Sequence, residues 1–86
     1  MSKVIEFKVP LDIWPRRRDW KAKVSKWLKS VGDEINVGDV IVELEIEKAI
    51  MGLESPYRGK VIEIKAKEGD EVGPGDSLAL IEVYPQ

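Results

Sequence analysis

Hydrophobic and polar positions alternate along most of this chain. Ile5, Phe7 and Val9 are interleaved with Glu6 and Lys8, and Val42, Leu44 and Ile46 with Glu43, Glu45 and Glu47. Ala49, Met51 and Leu53 share one face; Ile62, Ile64 and Ala66 alternate with Glu63, Lys65 and Lys67; Ala79, Ile81 and Val83 share another. A period of two places one set of side chains in a core and the other in water, so each run predicts a half-buried β-strand. Val24 to Lys29 predicts a further strand, although Trp27 and Leu28 fall on opposite faces and leave its inward side open. Residues 21–29 can also be drawn as a short amphipathic helix. Gly-Asp and Pro-Gly pairs punctuate the runs every ~8–12 residues, the spacing of an all-β sandwich or barrel.

The pattern is duplicated. Val31-Gly32-Asp33-Glu34 and Gly38-Asp39 return as Glu68-Gly69-Asp70-Glu71 and Gly75-Asp76, a constant shift (32 to 69, 39 to 76) that superposes Gly32, Asp33, Glu34, Gly38 and Asp39 on identical residues. A repeated β unit joined at one point directs attention to that joint. It holds Glu45-Ile46-Glu47-Lys48-Ala49, which puts a lysine between two strand-like runs.

Length and composition narrow the class. Eighty-six residues make a single domain, 1–86, with one thin core and no room for a deep substrate cleft. The net charge of −2 gives no basic character that would imply nucleic acid. There is no cysteine for disulfides or thiolate chemistry, and no histidine to act as general base or metal ligand, so the chain is poorly equipped for catalysis. No apolar run approaches the ~20 residues of a membrane span, and Met-Ser-Lys-Val-Ile-Glu lacks the apolar segment of a signal peptide. The expected location is therefore cytoplasmic.

If residues 40–47 and 49–54 form a hairpin, Lys48 lies at or beside its turn and projects into solvent, as an attachment site requires; solvation of the turn is the plainer role for such a lysine. Glu43, Glu45 and Glu47 recur at ~6.6–6.8 Å along one strand face, a spacing that suggests paired-carboxylate catalysis but fits a solvated face better. Asp33, Asp39, Asp70 and Asp76 each follow a glycine and do not form an alternating acidic loop, so they predict turns and not a calcium site.

With these motifs in hand, the chain resembles a lipoyl domain of the biotinyl/lipoyl attachment superfamily. That family carries Glu-Thr-Asp-Lys-Ala at a hairpin tip, then a Ser-Pro turn, Gly, a strand and Glu-Gly-Asp. The matching residues here are Glu45 to Ala49, Ser55-Pro56-Tyr57-Arg58-Gly59-Lys60-Val61 and Lys67-Glu68-Gly69-Asp70, with Lys26-Trp27-Leu28 and Val31-Gly32-Asp33-Glu34 on the amino side. The likeness runs from about Val4 to Val83. It implies a barrel-sandwich hybrid, a flattened β-barrel of two four-stranded antiparallel sheets with quasi-twofold symmetry. It also implies lipoate amide-linked to Lys48, with Glu45, Glu47 and Ala49 read by the modifying enzyme, a lipoate–protein ligase. Biotin carriers flank their lysine with methionines, whereas Glu47 and Ala49 stand here, so lipoyl is favoured over biotin. Ile46 and Glu47 replace the usual threonine and aspartate.

The resemblance further implies a non-catalytic swinging arm. Such an arm carries acyl or aminomethyl groups between the decarboxylase/dehydrogenase, acyltransferase and dihydrolipoamide dehydrogenase subunits of a 2-oxoacid dehydrogenase-type complex, or within the glycine cleavage system. The isolated domain is expected to be a monomer. The competing readings are a biotin carrier and an unmodified adaptor of the same fold. The chain departs most from its relatives over residues 11–20, where Trp14, Arg16, Arg17, Arg18 and Trp20 replace a Gly- and Glu-containing loop. Arg and Trp are enriched at interaction hot spots, which suggests partner docking; a solvated loop whose tryptophans cover the barrel end fits equally.

Overall fold

The computed structural model describes residues 3–10 and 21–85. Among these described residues eight strands follow one another: β1 (Lys3–Lys8), β2 (Ala22–Trp27), β3 (Glu34–Ile35), β4 (Val40–Ile46), β5 (Ala49–Glu54), β6 (Gly59–Ile64), β7 (Glu71–Val72) and β8 (Ser77–Val83). No helix occurs among the described residues, and 21–29 is a strand. The strands pair antiparallel into two four-stranded sheets, β1-β8-β6-β3 and β5-β4-β2-β7. The expected architecture of two such sheets with internal symmetry is the one found. Replacing β1, β8, β6 and β3 by β5, β4, β2 and β7 turns the first order into the second. In sequence, β2, β3 and β4 begin at 22, 34 and 40 and their counterparts at 59, 71 and 77, the same shift as the Gly-Asp repeat. β1 begins at 3 and β5 at 49, because the β1–β2 connection is longer than the β5–β6 turn.

The two sheets close on one apolar core. Val9, Val24, Ile35, Ile41, Val42, Leu44, Ile46, Val61, Leu78, Ala79 and Ile81 are all buried. A strict period of two does not produce this set. Ile41 and Val42 are consecutive and both inside, as are Leu78 and Ala79, because the pairing register shifts at a β-bulge between Val40 and Val42 in β4, and opposite Leu78 where β1 meets β8. A second symmetric pair of bulges lies between Val24 and Lys26 in β2 and between Val61 and Glu63 in β6.

This second pair corrects one expectation and resolves another. Ile62, expected inside with Ile64 and Ala66, is 37% exposed, and its neighbour Val61 takes the core position. The same slip in β2 carries the inward face from Val24 to Trp27. Trp27 packs against the core, with its indole N–H donating to the Ala66 carbonyl at 2.7 Å, while Leu28 faces out.

The four Gly-Asp pairs build four copies of one turn. Gly32, Gly38, Gly69 and Gly75 all have φ between 83° and 96°, as the third residue of a type II β-turn requires. In each copy the following aspartate carboxylate accepts the backbone N–H three residues earlier. The donors are Ser30 for Asp33, Asn36 for Asp39, Lys67 for Asp70 and Gly73 for Asp76, at 2.8–2.9 Å. The aspartates are turn residues, as their placement after glycine predicts.

Gly59 has a different reason for being glycine. It sits between Ile35 and Val83 in the middle of a sheet, where a Cβ would overlap the Glu82 carbonyl. Gly59→Ala should therefore displace β8 and cost about 2–3 kcal/mol, the upper range of overpacking penalties, measured by urea unfolding. Gly32→Ala, with open space around it and only an unfavourable φ, should cost about 1 kcal/mol in the same assay.

Candidate functional site

The hairpin of β4 and β5 is closed by the pair Ile46–Ala49, which leaves Glu47 and Lys48 as a two-residue loop. Buried Ile46 and half-buried Ala49 fix the loop ends to the core. Glu47 and Lys48 themselves are exposed. The two-residue loops that best match the twist of their strands begin with a residue of positive φ. Glu47 supplies it with φ 55°, and is the one non-glycine residue with positive φ among the described residues. Lys48 is thus presented at the tip of a short, stiffly closed hairpin.

The neighbouring glutamates separate into two kinds. Glu43 and Glu45 lie on the outer face of β4, whereas Glu47 belongs to the loop. Across the sheet Glu45 is level with Ile50 on β5 and Lys23 on β2, and Lys23 in turn with Glu71 on β7; Glu43 is level with Gly52 and Lys26. The other sheet holds the same row in symmetric form, Glu34–Lys60–Glu82–Val4. Opposite charges facing across strands contribute ~0.2–1 kcal/mol per pair, so Glu45 has a structural role that Glu82 repeats far from any lysine tip. The paired-carboxylate reading finds no support in the geometry. A groove of about 500 Å³ opens between the edge strands β1 and β5, but its lining contains Glu6 and Glu54 and none of Glu43, Glu45 and Glu47. Met51, expected in the core, is half-buried and lines this groove together with Phe7 and Leu53.

Beyond the hairpin, Ser55 is buried and closes the Ser-Pro turn: its hydroxyl accepts the Tyr57 N–H at 3.0 Å and donates to the Tyr57 carbonyl at 2.6 Å. Tyr84 binds this side of the barrel to β3, its hydroxyl donating to Glu34 at 3.3 Å with the Arg58 guanidinium over its ring. Partial burial and the Glu34 carboxylate push the Tyr84 hydroxyl above its ordinary pKa. Trp14, Arg16, Arg17, Arg18 and Trp20 lie outside the described residues. Two features escaped the sequence pattern. One is the left-handed backbone at Glu47, for which a two-residue hairpin loop is the available signal. The other is Ile50, 54% exposed two residues beyond Lys48, which a period count gives only as an outward strand position.

The family described as biotin-requiring enzyme matches residues 18–81 of this chain. The chain belongs to the biotin/lipoyl attachment family and is a lipoyl domain. It is 43% identical over 61 residues to the dihydrolipoyllysine-residue acetyltransferase component of the acetoin cleaving system of Bacillus subtilis; the match takes in 71% of this chain and 15% of that protein. Among solved structures, the lipoyl domain of the 2-oxoglutarate dehydrogenase complex from Azotobacter vinelandii superposes with a TM-score of 0.68 at 26% identity, over 86% of this chain and 92% of that one. The Kluyveromyces lactis urea carboxylase superposes with a TM-score of 0.73 at 26% identity, over 92% of this chain and 6% of that one. This lipoyl domain therefore spans a small fraction of the curated relative, and it is a carrier domain of the biotin/lipoyl attachment kind. No helix among the described residues is long and apolar enough to cross a membrane.

The geometry separates the lysine from its support. Lys48→Arg, at an exposed loop position, should leave the stability of the lipoyl domain within about 0.5 kcal/mol of wild type. Ser55→Ala, which removes the hydroxyl that holds the part-buried N–H and carbonyl of Tyr57, should cost about 1 kcal/mol in the same urea titration.

Proposed function

We propose that residues 1–86 work as one non-catalytic domain whose Lys48 carries lipoate, and that the domain moves acyl groups within a 2-oxoacid dehydrogenase-type complex. The observation that carries the reading is the two-residue loop: it puts the Lys48 amine at the furthest point of a hairpin whose closing residue is in the core. An amide bond would join Nζ to the cofactor's carboxyl carbon, with the oxygen that the carboxyl gives up leaving in AMP and the amine's proton released, as a lipoate–protein ligase cleaves ATP to AMP and pyrophosphate. Once bound, the dithiolane supplies the redox and acyl-transfer chemistry. The chain supplies reach and orientation. A lysine side chain extended by the cofactor spans about four residues of extended backbone, roughly 13 Å, enough to enter a partner's active site while the barrel stays outside.

The residues around Lys48 fit this group. Nothing in the loop needs the lysine for folding, and Glu47 and Ala49 stand where a biotin carrier has methionines. The partners are then a lipoate–protein ligase and the decarboxylase/dehydrogenase, acyltransferase and dihydrolipoamide dehydrogenase subunits of a cytoplasmic complex. The family's description as biotin-requiring enzyme supports a second reading, attachment of biotin to the same lysine. Apo-protein incubated separately with a lipoate ligase and a biotin ligase, followed by intact mass and peptide mapping, tests both. The expected result is one lipoyl group on Lys48, none on Lys48→Arg, and little or no biotin. Equal biotinylation, or lipoyl on another lysine, would overturn the reading.

We infer as well that Trp14, Arg16, Arg17, Arg18 and Trp20 form a docking surface for the partner that acylates the arm. Three cations and two large aromatics in five of seven positions form a hot-spot composition on a domain of net charge −2. Changing Arg16, Arg17 and Arg18 together to alanine should leave folding and lipoylation intact but lower reductive acylation by the cognate partner. The deficit should shrink as salt rises, because exposed charges act over a Debye length of ~8–10 Å. Wild-type acylation of the triple variant at low salt would show that the surface lies elsewhere.

A further inference from the structure

The left-handed residue at the lysine tip sets Lys48 apart from every other turn described in the fold. Four of the five described positions with positive φ are Gly32, Gly38, Gly69 and Gly75, where glycine takes that conformation at no steric cost. The fifth is Glu47 at φ 55°. A side chain other than Gly, Asn or Asp held there is strained by roughly 1–2 kcal/mol, and such strain gathers where a conformation is needed for function. The strain is absent from the symmetric position: β8 ends at Val83, the counterpart of Ile46, and Tyr84 stands in the place of Glu47 without a positive φ. Glu45, by contrast, is matched across the symmetry by Glu82, so its charge is part of the duplicated framework and not of the tip.

We propose that Glu47 is a positioning residue for the modification of Lys48, acting through its backbone and not through its carboxylate. This rests on the reading of Lys48 as the attachment site. The φ of residue 47 orients the peptide plane that leads into Lys48, and so sets the direction in which the Lys48 Cα–Cβ bond leaves the hairpin. The modifying ligase then meets an amine already aimed along one line. A residue in the ordinary extended region would open the loop or turn the lysine toward a sheet face, since side chains of successive strand residues alternate sides.

The test compares four substitutions in the apo-protein, using lipoate, ATP and a lipoate–protein ligase, with kcat and KM taken from the rate of mass gain. Glu47→Gln removes the charge and keeps the side-chain length; it should be modified within twofold of wild type. Glu47→Asn and Glu47→Gly, which take positive φ readily, should stay within threefold. Glu47→Val, a β-branched residue poorly suited to positive φ, should lose at least tenfold in kcat/KM while its melting transition stays cooperative. In nuclear magnetic resonance spectra the intraresidue HN–Hα coupling and contact at position 47 report φ directly. They should show the left-handed form in wild type and in the Gln, Asn and Gly variants, and lose it in Glu47→Val. A tenfold loss in Glu47→Gln would overturn the proposal in favour of the carboxylate, and wild-type kinetics in Glu47→Val with the left-handed form gone would overturn it outright. If Glu47→Val fails to fold, the Gln and Asn results decide between backbone and charge. Absence of lipoyl on Lys48 in wild type would instead remove the attachment reading itself, an outcome visible before any variant is compared.

Discussion

The fold depends on backbone hydrogen bonds exchanged between the two halves of a duplicated chain. The Gly32 amide donates to the Val61 carbonyl at 2.7 Å, and its counterpart Gly69 to Val24 at 2.8 Å; Val61 and Val24 return the exchange to Asp33 and Asp70. At the other pair of turns Gly38 donates to Ser55 and Gly75 to Val9, each with the reciprocal bond back to Asp39 and Asp76. Every one of these turns belongs to one half and is satisfied by the other. A half of about forty residues could not bury enough surface to stand alone, and here its turn amides would also be left without partners. The left-handed glycines matter for this reason. They aim the amide across the interface, while the aspartate that follows secures the opposite end of the same turn.

The Lys48 hairpin is a turn that the symmetry does not reproduce. β4 ends the first half and β5 begins the second, so the Glu47–Lys48 loop is the covalent joint between the repeats. Its symmetric place is occupied by the start of β1 and the end of β8, where Lys3 and Val83 pair side by side. A joint of this kind carries no obligation to the interlocked turns, and both sheets are complete without it. It can therefore hold a residue chosen for what approaches from outside. The strained Glu47 and the exposed Ile50 sit where packing asks for neither, whereas the alternating charges of Glu45, Lys23 and Glu71 recur as Glu82, Lys60 and Glu34 and belong to the sheet. Symmetry thus acts as an internal control, separating the residues of the barrel from the residues of the carrier.

Much of this was legible in the chain. Alternation in Val42–Leu44–Ile46 and Ala79–Ile81–Val83 gave strands whose inward faces are the observed ones, and the Gly-Asp repeat gave both the duplication and the turns. Lys48 between two strand runs gave the exposed loop. These succeed because they rest on local rules: side chains alternate along an extended backbone, and glycine alone enters a left-handed turn without cost.

What only the tertiary structure decided are the places where pairing between strands overrides the local period. Four bulges move Ile41 and Leu78 inward, turn Ile62 outward beside buried Val61, and bring Trp27 onto the core, and each is created by register with a strand far away in sequence. Gly59 looks like a turn residue after Ser55-Pro56, but it is fixed by the carbonyl of Glu82 on a neighbouring strand. Glu47 reads as an acid in a recognition motif until the two-residue closure between Ile46 and Ala49 reveals its backbone. The sequence determined which residues alternate, turn and repeat, because those are properties of neighbouring residues. Register, bulges and the strain at the tip arise from hydrogen-bonding two distant strands at once, and no stretch of the chain carries that information alone.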